Sequence, residues 1–152
     1  MNKYDDAIKI MTGRFSKDSL IAIATMDGNR PAVRTVDGYY EDGAFYIVTY
    51  ALSYKMQQIA ANPDVAVCGI DWFTGRGTGE NLGWVLDEGN AAIMAKLREA
   101  FAAWYTGGHV NEEDPNTCVL RIKLTDGIII DHGKKYGEWR YEVDFINQTA
   151  KV

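Results

Sequence analysis

Three runs of strand-patterned residues between positions 20 and 50 are separated by two tight-turn sequences, and this arrangement commits the chain to an antiparallel sheet. Leu20 to Met26, rich in Ile and Ala, stops at Asp27-Gly28-Asn29. Pro31 to Tyr40 carries Val33, Thr35 and Tyr39 on one alternation and Arg34 and Val36 on the other, and stops at Glu41-Asp42-Gly43. Ala44 to Tyr50 follows at once. Turns of this kind join antiparallel neighbours, whereas parallel strands need a crossover of roughly a dozen residues.

The remaining segments extend that pattern. Tyr4, Ile8, Met11 and Phe15 recur at helical spacing, which predicts a first amphipathic helix ending near Phe15. Ser53 precedes a short helical stretch that stops at Asn62-Pro63, and Asp64 to Phe73 resumes a β pattern through Val65, Val67 and Ile70. Thr74 to Gly79 is glycine-rich and is expected to lie outside regular structure; Leu82, Trp84 and Leu86 then alternate as a strand. Asn90 is placed to cap a helix through Ile93, Leu97, Phe101 and Trp104, closed by Gly107-Gly108. After the polar loop HVNEEDPN, the residues from Val119 to Leu124 alternate. Asp126-Gly127 reads as a hairpin turn, and Ile128 to Ile130 and Trp139 to Phe145 supply further strands. About seven short strands with brief helices predict an α+β fold that is mainly β, an antiparallel barrel with short flanking helices. No repeat or linker divides residues 1–152, so a single domain is expected.

Composition narrows the functions open to such a domain. A net charge of -5 and a pI near 5.0 leave no basic stripe able to neutralise a nucleic-acid backbone, so no nucleic-acid partner is expected. A few placed cations can still bind one phosphate in an acidic protein. Cys68 and Cys118 lie far apart and fit no metal or disulfide spacing; two reduced, buried thiols are expected. No stretch approaches the roughly 20 apolar residues of a membrane span, so no membrane partner and a cytoplasmic location are expected.

The stretch TYALSYK, Thr49 to Lys55, carries the most chemistry. A strand end is followed by a helix start bearing Ser53 and Lys55. The first turn of a helix is electropositive, so a lysine there is disfavoured by roughly 0.3 to 1 kcal/mol unless an anion sits nearby. A phosphate would supply that anion. Ser53 could donate to it or accept from its own helix, and Arg34 could reach the same volume with a planar two-donor fork. An isolated strand arginine or helix lysine is ordinarily solvated surface, and residue pattern alone leaves both readings open.

The string PAVRTVDGYYEDGAFYIVTYALSYKMQQIAANPDVAV resembles the FMN-binding split-barrel family related to pyridoxamine 5'-phosphate oxidase, particularly its general stress protein branch. The order of helix, hairpin, R-x-V strand, T-x-x-x-S-x-K turn, N-P, long helix and terminal β hairpin extends the likeness from about residue 4 to Phe145. The resemblance implies a split β-barrel that forms a homodimer with FMN in clefts between the subunits. It implies that Arg34, Ser53 and Lys55 hold the phosphate. It places Thr35, Val36, Val48 and Thr49 on strand positions whose backbone and hydroxyl groups face the flavin ring, with Tyr54 inside the phosphate turn. The oxidase proper has a lysine at the end of the R-x-V strand and a C-terminal R-x-H for its vitamin substrate. Here Tyr39 takes the first place, and Arg140 is followed by Glu142 rather than histidine. The expected function is therefore an FMN-dependent oxidoreductase, using a small-molecule electron donor or acceptor, that does not oxidise pyridoxamine phosphate. A non-catalytic flavin binder or redox sensor, and a split barrel holding deazaflavin or haem, are the alternatives.

Other candidates read as structure. The glycines of GRGTGENLG lack the helix that a dinucleotide fingerprint needs. Among the tryptophans Trp139 is the best flavin-stacking candidate, His109 reads as a solvated loop histidine, and Glu112-Glu113-Asp114 as a charged turn without metal.

Overall fold

Local turn chemistry sets the first half of the fold. In the computed structural model, which describes residues 2–135 and 137–152, α1 (Lys3–Phe15) starts at Asn2, whose side chain accepts from the Asp5 amide at 2.8 Å. It buries Ala7, Met11 and Phe15, with Tyr4 and Ile8 packed at the edge of the core. β1 (Ser19–Asp27), β2 (Arg30–Glu41) and β3 (Ala44–Tyr50) form consecutive antiparallel pairs. The turns use Gly28 at φ 61° and Asp42-Gly43 at φ 47° and 82°, the left-handed region that the Asp-Gly sequences predict. After α2 (Tyr54–Ala61) come β4 (Asp64–Gly69), β5 (Phe73–Trp84), a 3-10 turn (Glu88–Asn90), α3 (Ala91–Ala100), β6 (Thr117–Ile130), β7 (Arg140–Asp144) and β8 (Thr149–Lys151).

The eight strands run in the order β3-β2-β1-β4-β5-β6-β7-β8, and a further ladder between β3 and β6 closes the first six into a barrel. Ile21, Ile23, Phe45, Ile47, Leu120 and Ile122 fill its interior. Val48 and Val119 point outward from the same β3–β6 ladder into a second apolar cluster made by Met94 and Leu97 of α3 with Phe101 and Tyr105. This ladder is therefore buried on both faces, which fixes α3 and the chain after it beside β3.

Two glycine-rich stretches differ from the expectation. Residues 74–79 are not irregular but belong to β5, and Asp126-Gly127 is no hairpin turn but lies within a continuous β6. Gly75 and Gly127 are opposite each other in the β5–β6 ladder. A Cβ on Gly75 would lie 2.4 Å from Phe73 Cζ, and one on Gly127 2.5 Å from Phe73 Cε1. These glycines let the Phe73 ring lie on the backbone, a packing demand that outweighs their turn preference. The strand expected at Ile128 to Ile130 is thus part of β6, while a short β8 at Thr149–Lys151, which the sequence pattern does not mark, brings the described residues to eight strands against about seven expected. α3 also ends earlier than expected, at Ala100, and the segment to Gly108 continues as turns. The Asn90 side chain makes no cap bond but donates to the carbonyls of Leu82 and Trp84 at 3.1 and 2.9 Å. Cys118 is buried, but Cys68 is exposed because β4 presents its alternate residues to the outer face. Among the described residues no helix is long and apolar enough to cross a membrane.

Candidate functional site

β2 pairs with β1 from Arg30 to Gly38, but with β3 only from Tyr39 to Glu41. Upstream of Tyr39, β2 follows β1 while β3 follows β6, so the two strands part and leave peptide groups on both edges facing a gap. This split is a cleft of about 540 Å³, a usual size for a cofactor pocket. Val36 and Asp37 form one wall, Ile47 to Tyr50 the other; Lys55 of α2 closes one end, and Trp104, His109 and Val110 come from the chain after α3. A larger groove, about 770 Å³, crosses the outer face of β5 to β8. Its basic residues are already paired, Arg76 with Asp126 at 2.7 Å and Lys151 with Glu142 at 3.2 Å, so its charges are satisfied.

The α2 end of the cleft is different. Arg34 donates through Nη1 to Thr25 Oγ1 at 2.7 Å and through Nη2 to Gln58 Oε1 at 3.0 Å, and Thr25 Oγ1 donates to Gln58 Oε1 at 2.6 Å. These neutral oxygens hold the end of the guanidinium and leave its charge uncompensated. The Nε side of the fork has no partner among the described residues. Burial lowers the pKa of Arg34. Lys55, half-buried one turn away, is also held below the usual lysine value, first by burial and then by the Arg34 charge, with Cys118 acting weakly the other way. Among the described residues neither cation has a carboxylate within 4.0 Å. Two cations converging without a counter-charge are costly unless an anion joins them. Ser53 caps α2, accepting from the Met56 amide at 3.4 Å, and its hydroxyl proton is left to donate.

At the other end burial pushes the Asp37 carboxyl up to about 6, with the neighbouring Asp18 carboxyl adding to the shift. Trp104 Nε1 donates to Asp18 Oδ2 at 3.0 Å. The wall that carries Trp104 and His109 is itself anchored. Glu112 accepts from Arg98 Nε at 2.9 Å and from the Tyr105 hydroxyl at 2.5 Å, and its carbonyl accepts from Trp84 Nε1 at 2.7 Å. Burial raises the Glu112 pKa, yet the bonds from Tyr105 and Arg98 outweigh it and hold the carboxyl low. Glu112 is thus a tie between α3 and the loop rather than part of a solvated turn.

The family model described as pyridoxamine 5'-phosphate oxidase matches residues 11–130, a span that contains every wall of this cleft. The chain belongs to the pyridoxamine 5'-phosphate oxidase family. No curated protein matches it. Among solved structures of this fold it is similar to general stress protein 26 from Bacillus anthracis str. Sterne, at 18% identity over 78% of this chain and 89% of that one, TM-score 0.61. It is similar to a pyridoxamine 5'-phosphate oxidase-related, FMN binding protein from Nostoc punctiforme PCC 73102, at 18% identity over 99% and 95%, TM-score 0.55. A haem binding protein from Mycobacterium smegmatis matches at 13% identity over 97% of this chain and 60% of that one, TM-score 0.68. At these identities the likeness shows the fold.

Within this pyridoxamine 5'-phosphate oxidase fold, Val36, Val48, Thr49 and Lys55 line the split. Arg34 and Ser53 do not line it but stand at the same α2 corner. Thr35 faces the outer side of β2 with Ala22, and Tyr54 is 82% exposed; the side chains of both lie away from the cleft. Trp139 is not among the cleft residues, whereas Trp104 is. Sequence reading missed Asp37 as a wall residue; His109 is the exposed turn residue expected, and it also borders the split. No local signal marks either one, because both are brought to the split by how β2 and the post-α3 chain pack.

Proposed function

We propose that the chain is an FMN-binding flavoprotein, working as a homodimer and as an oxidoreductase with a small-molecule electron donor or acceptor other than pyridoxamine phosphate. The observation that carries this reading is the Arg34–Lys55 corner, two half-buried cations without a counter-anion at one end of a flavin-sized split. A phosphate fits their donor chemistry: the Arg34 side fork takes two oxygens, while Lys55 and the Ser53 hydroxyl supply further donors. The strand edges of β2 and β3, with Val36, Val48 and Thr49, are suited to a flat heteroaromatic ring with polar edges. Bound FMN would supply the electron-carrying ring, and the chain would supply position and charge. In support of a non-oxidase role toward the vitamin, Tyr39 hydrogen-bonds toward Glu41 and Arg140 pairs with Glu142 at 3.2 Å, both away from the cleft. In support of a homodimer, Leu20 and Val33 on the outer face of β1 and β2 are 62% and 71% exposed beside the split. Apolar exposure of this kind marks a contact surface, and a two-fold pair would cover it.

A haem reading is favoured by one observation, His109 in the cleft wall, since an imidazole is the commonest haem ligand. The deciding experiment is titration of the apoprotein with FMN and riboflavin, read by flavin fluorescence, alongside the absorbance of the purified protein. FMN binding much tighter than riboflavin binding, with the difference lost in Lys55→Ala, is expected. A Soret band that disappears in His109→Ala, or equal affinity for both flavins, sinks the FMN assignment.

A further inference from the structure

The chain between α3 and β6, residues 101–116, consists of turns, so no strand ladder or long helix fixes the side chains it brings to the split. Trp104 is fixed by other means. Its ring stacks on the buried Phe101 ring, with centroids 5.0 Å apart and planes at 29°. Its Nε1–H donates to Asp18 Oδ2 at 3.0 Å, which ties the segment to the residue that precedes β1. The same indole lines the split with Val36, Val48 and Thr49. A large flat side chain, braced against a second ring and held at its edge, suits stacking on a planar heteroaromatic ring.

The backbone that carries Trp104 is set one residue further on. Tyr105 is buried, its ring centre lies 6.0 Å from that of Trp104, and its hydroxyl donates to Glu112 Oε2 at 2.5 Å. Arg98 Nε, from α3, donates to the same oxygen at 2.9 Å, and Trp84 Nε1, from β5, donates to the Glu112 carbonyl at 2.7 Å. One residue therefore gathers α3, β5 and the turn segment, although it does not itself line the split. Without its carboxylate, the Tyr105 hydroxyl would lose its acceptor and Arg98 its counter-charge, and the buried hydroxyl must move to find another partner. Any shift of Tyr105 is passed to Trp104, its neighbour in the chain.

We propose that Trp104 is the aromatic wall against which the flavin ring stacks, and that Glu112 is the positioning residue that seats it. This rests on the flavin reading of the split and adds a ring contact independent of the phosphate corner. Arg34 and Lys55 distinguish FMN from riboflavin, whereas Trp104 and Glu112 act on the ring that both ligands share.

The test is titration of apoprotein variants with FMN and with riboflavin, together with the fluorescence of the bound flavin at saturation, which a stacked indole quenches. In Trp104→Leu both flavins are expected to bind about tenfold more weakly, by the same factor, and the bound flavin should become brighter. Glu112→Ala should give the same pair of changes. Tyr105→Phe, which keeps the ring and removes only the hydroxyl donor, should give them in smaller measure and serves if Glu112→Ala does not fold. Glu112→Gln retains an acceptor oxygen for Tyr105 and Arg98 and should restore the quenching. Lys55→Ala should abolish the preference for FMN and leave the quenching as in the wild type. Lowered Tm in Glu112→Ala and Tyr105→Phe, with wild-type quenching and riboflavin affinity, would make Glu112 a structural tie alone and overturn its positioning role. Wild-type quenching and affinity in Trp104→Leu overturn the ring contact. If Lys55→Ala still loses the FMN preference, that result sinks this proposal and leaves the flavin reading standing; absence of flavin binding by the wild type overturns both.

Discussion

Replacing Arg34 by lysine keeps one positive charge at the α2 corner and removes the shape that the corner uses. Arg34 spends its Nη1 and Nη2 end on Thr25 and Gln58, at 2.7 and 3.0 Å, and its Nε side has no partner among the described residues. A lysine ammonium can satisfy Gln58 or reach an anion, but it lacks the rigid fork that does both. Charge-assisted hydrogen bonds contribute roughly 1.5 to 3 kcal/mol each, and retained charge recovers part of one. The expected loss of FMN affinity is therefore about 1 to 3 kcal/mol, or about tenfold to a hundredfold. Riboflavin, which lacks the phosphate, should bind nearly as before. Both affinities are read by titrating apoprotein and following the quenching of flavin fluorescence. Wild-type FMN affinity in both Arg34→Lys and Arg34→Ala would refute the clamp and return Arg34 to a role in holding α2 through Gln58.

Lys55 provides the pH signature of the same corner. Its folded pKa is lowered, so the folded apoprotein bears a penalty at pH values below that pKa and is relieved as pH rises through it. A bound phosphate reverses the shift, so FMN affinity should fall with rising pH in the alkaline range just below the ordinary lysine value; isothermal titration should show this slope vanish in Lys55→Met. The cysteines should separate by access, since Cys118 is buried with its thiol pushed up to about 11 while Cys68 is exposed. With Ellman's reagent at mildly alkaline pH only Cys68 should react in the native protein, and Cys68→Ser should show no fast phase. Gly127→Ala places a Cβ 2.5 Å from Phe73 Cε1 and 2.9 Å from the Thr74 carbonyl. Overpacking of this kind costs about 1 to 3 kcal/mol, so calorimetry should show Tm lowered by about 2 to 12 °C. An unchanged Tm would mean that Phe73 can leave the backbone freely.

What the sequence made legible was whatever rests on neighbours in the chain. Gly28 and Gly43 have the backbone angles their turns require, Ser53 caps α2, and the alternation of residues 20 to 50 gives three strands with nearly the expected ends. The misread glycines share one cause. Gly75, Gly77 and Gly79 are small because the Asp126 carbonyl, the Lys123 carbonyl and Ile59 press on them from other elements, with the Phe73 ring of the same strand folded over Gly75, and nothing in the local sequence distinguishes that demand from a flexible loop. The candidate site divides in the same way. Ser53 and Lys55 announce themselves by their place at a helix start. Trp104 and His109 reach the split only because Tyr105, Arg98 and Trp84 fasten the chain around Glu112, contacts that span up to 28 positions.

The position of the split follows from a single residue of β2. Gly38 is the last residue of β2 to pair with β1, and Tyr39 is the first to pair with β3, so the strand changes partners between them. At that point a Cβ would lie 2.8 Å from Ile21 Cδ1 and 3.4 Å from Phe45 Cδ1, one residue from each flanking strand. A side chain there would wedge β1 and β3 apart inside the core. Without one, both strands press against the β2 backbone, and the divergence of β2 from β3 begins directly upstream. Asp37 is therefore set at the apex of the cleft, between Val36 in the split and the Asp18 carboxyl beyond it. Asp-Gly, the pair that makes turns at Asp27-Gly28 and Asp42-Gly43, here makes the junction of a barrel that opens. Its glycine permits the opening, and its aspartate is the first ionisable side chain that the opening exposes.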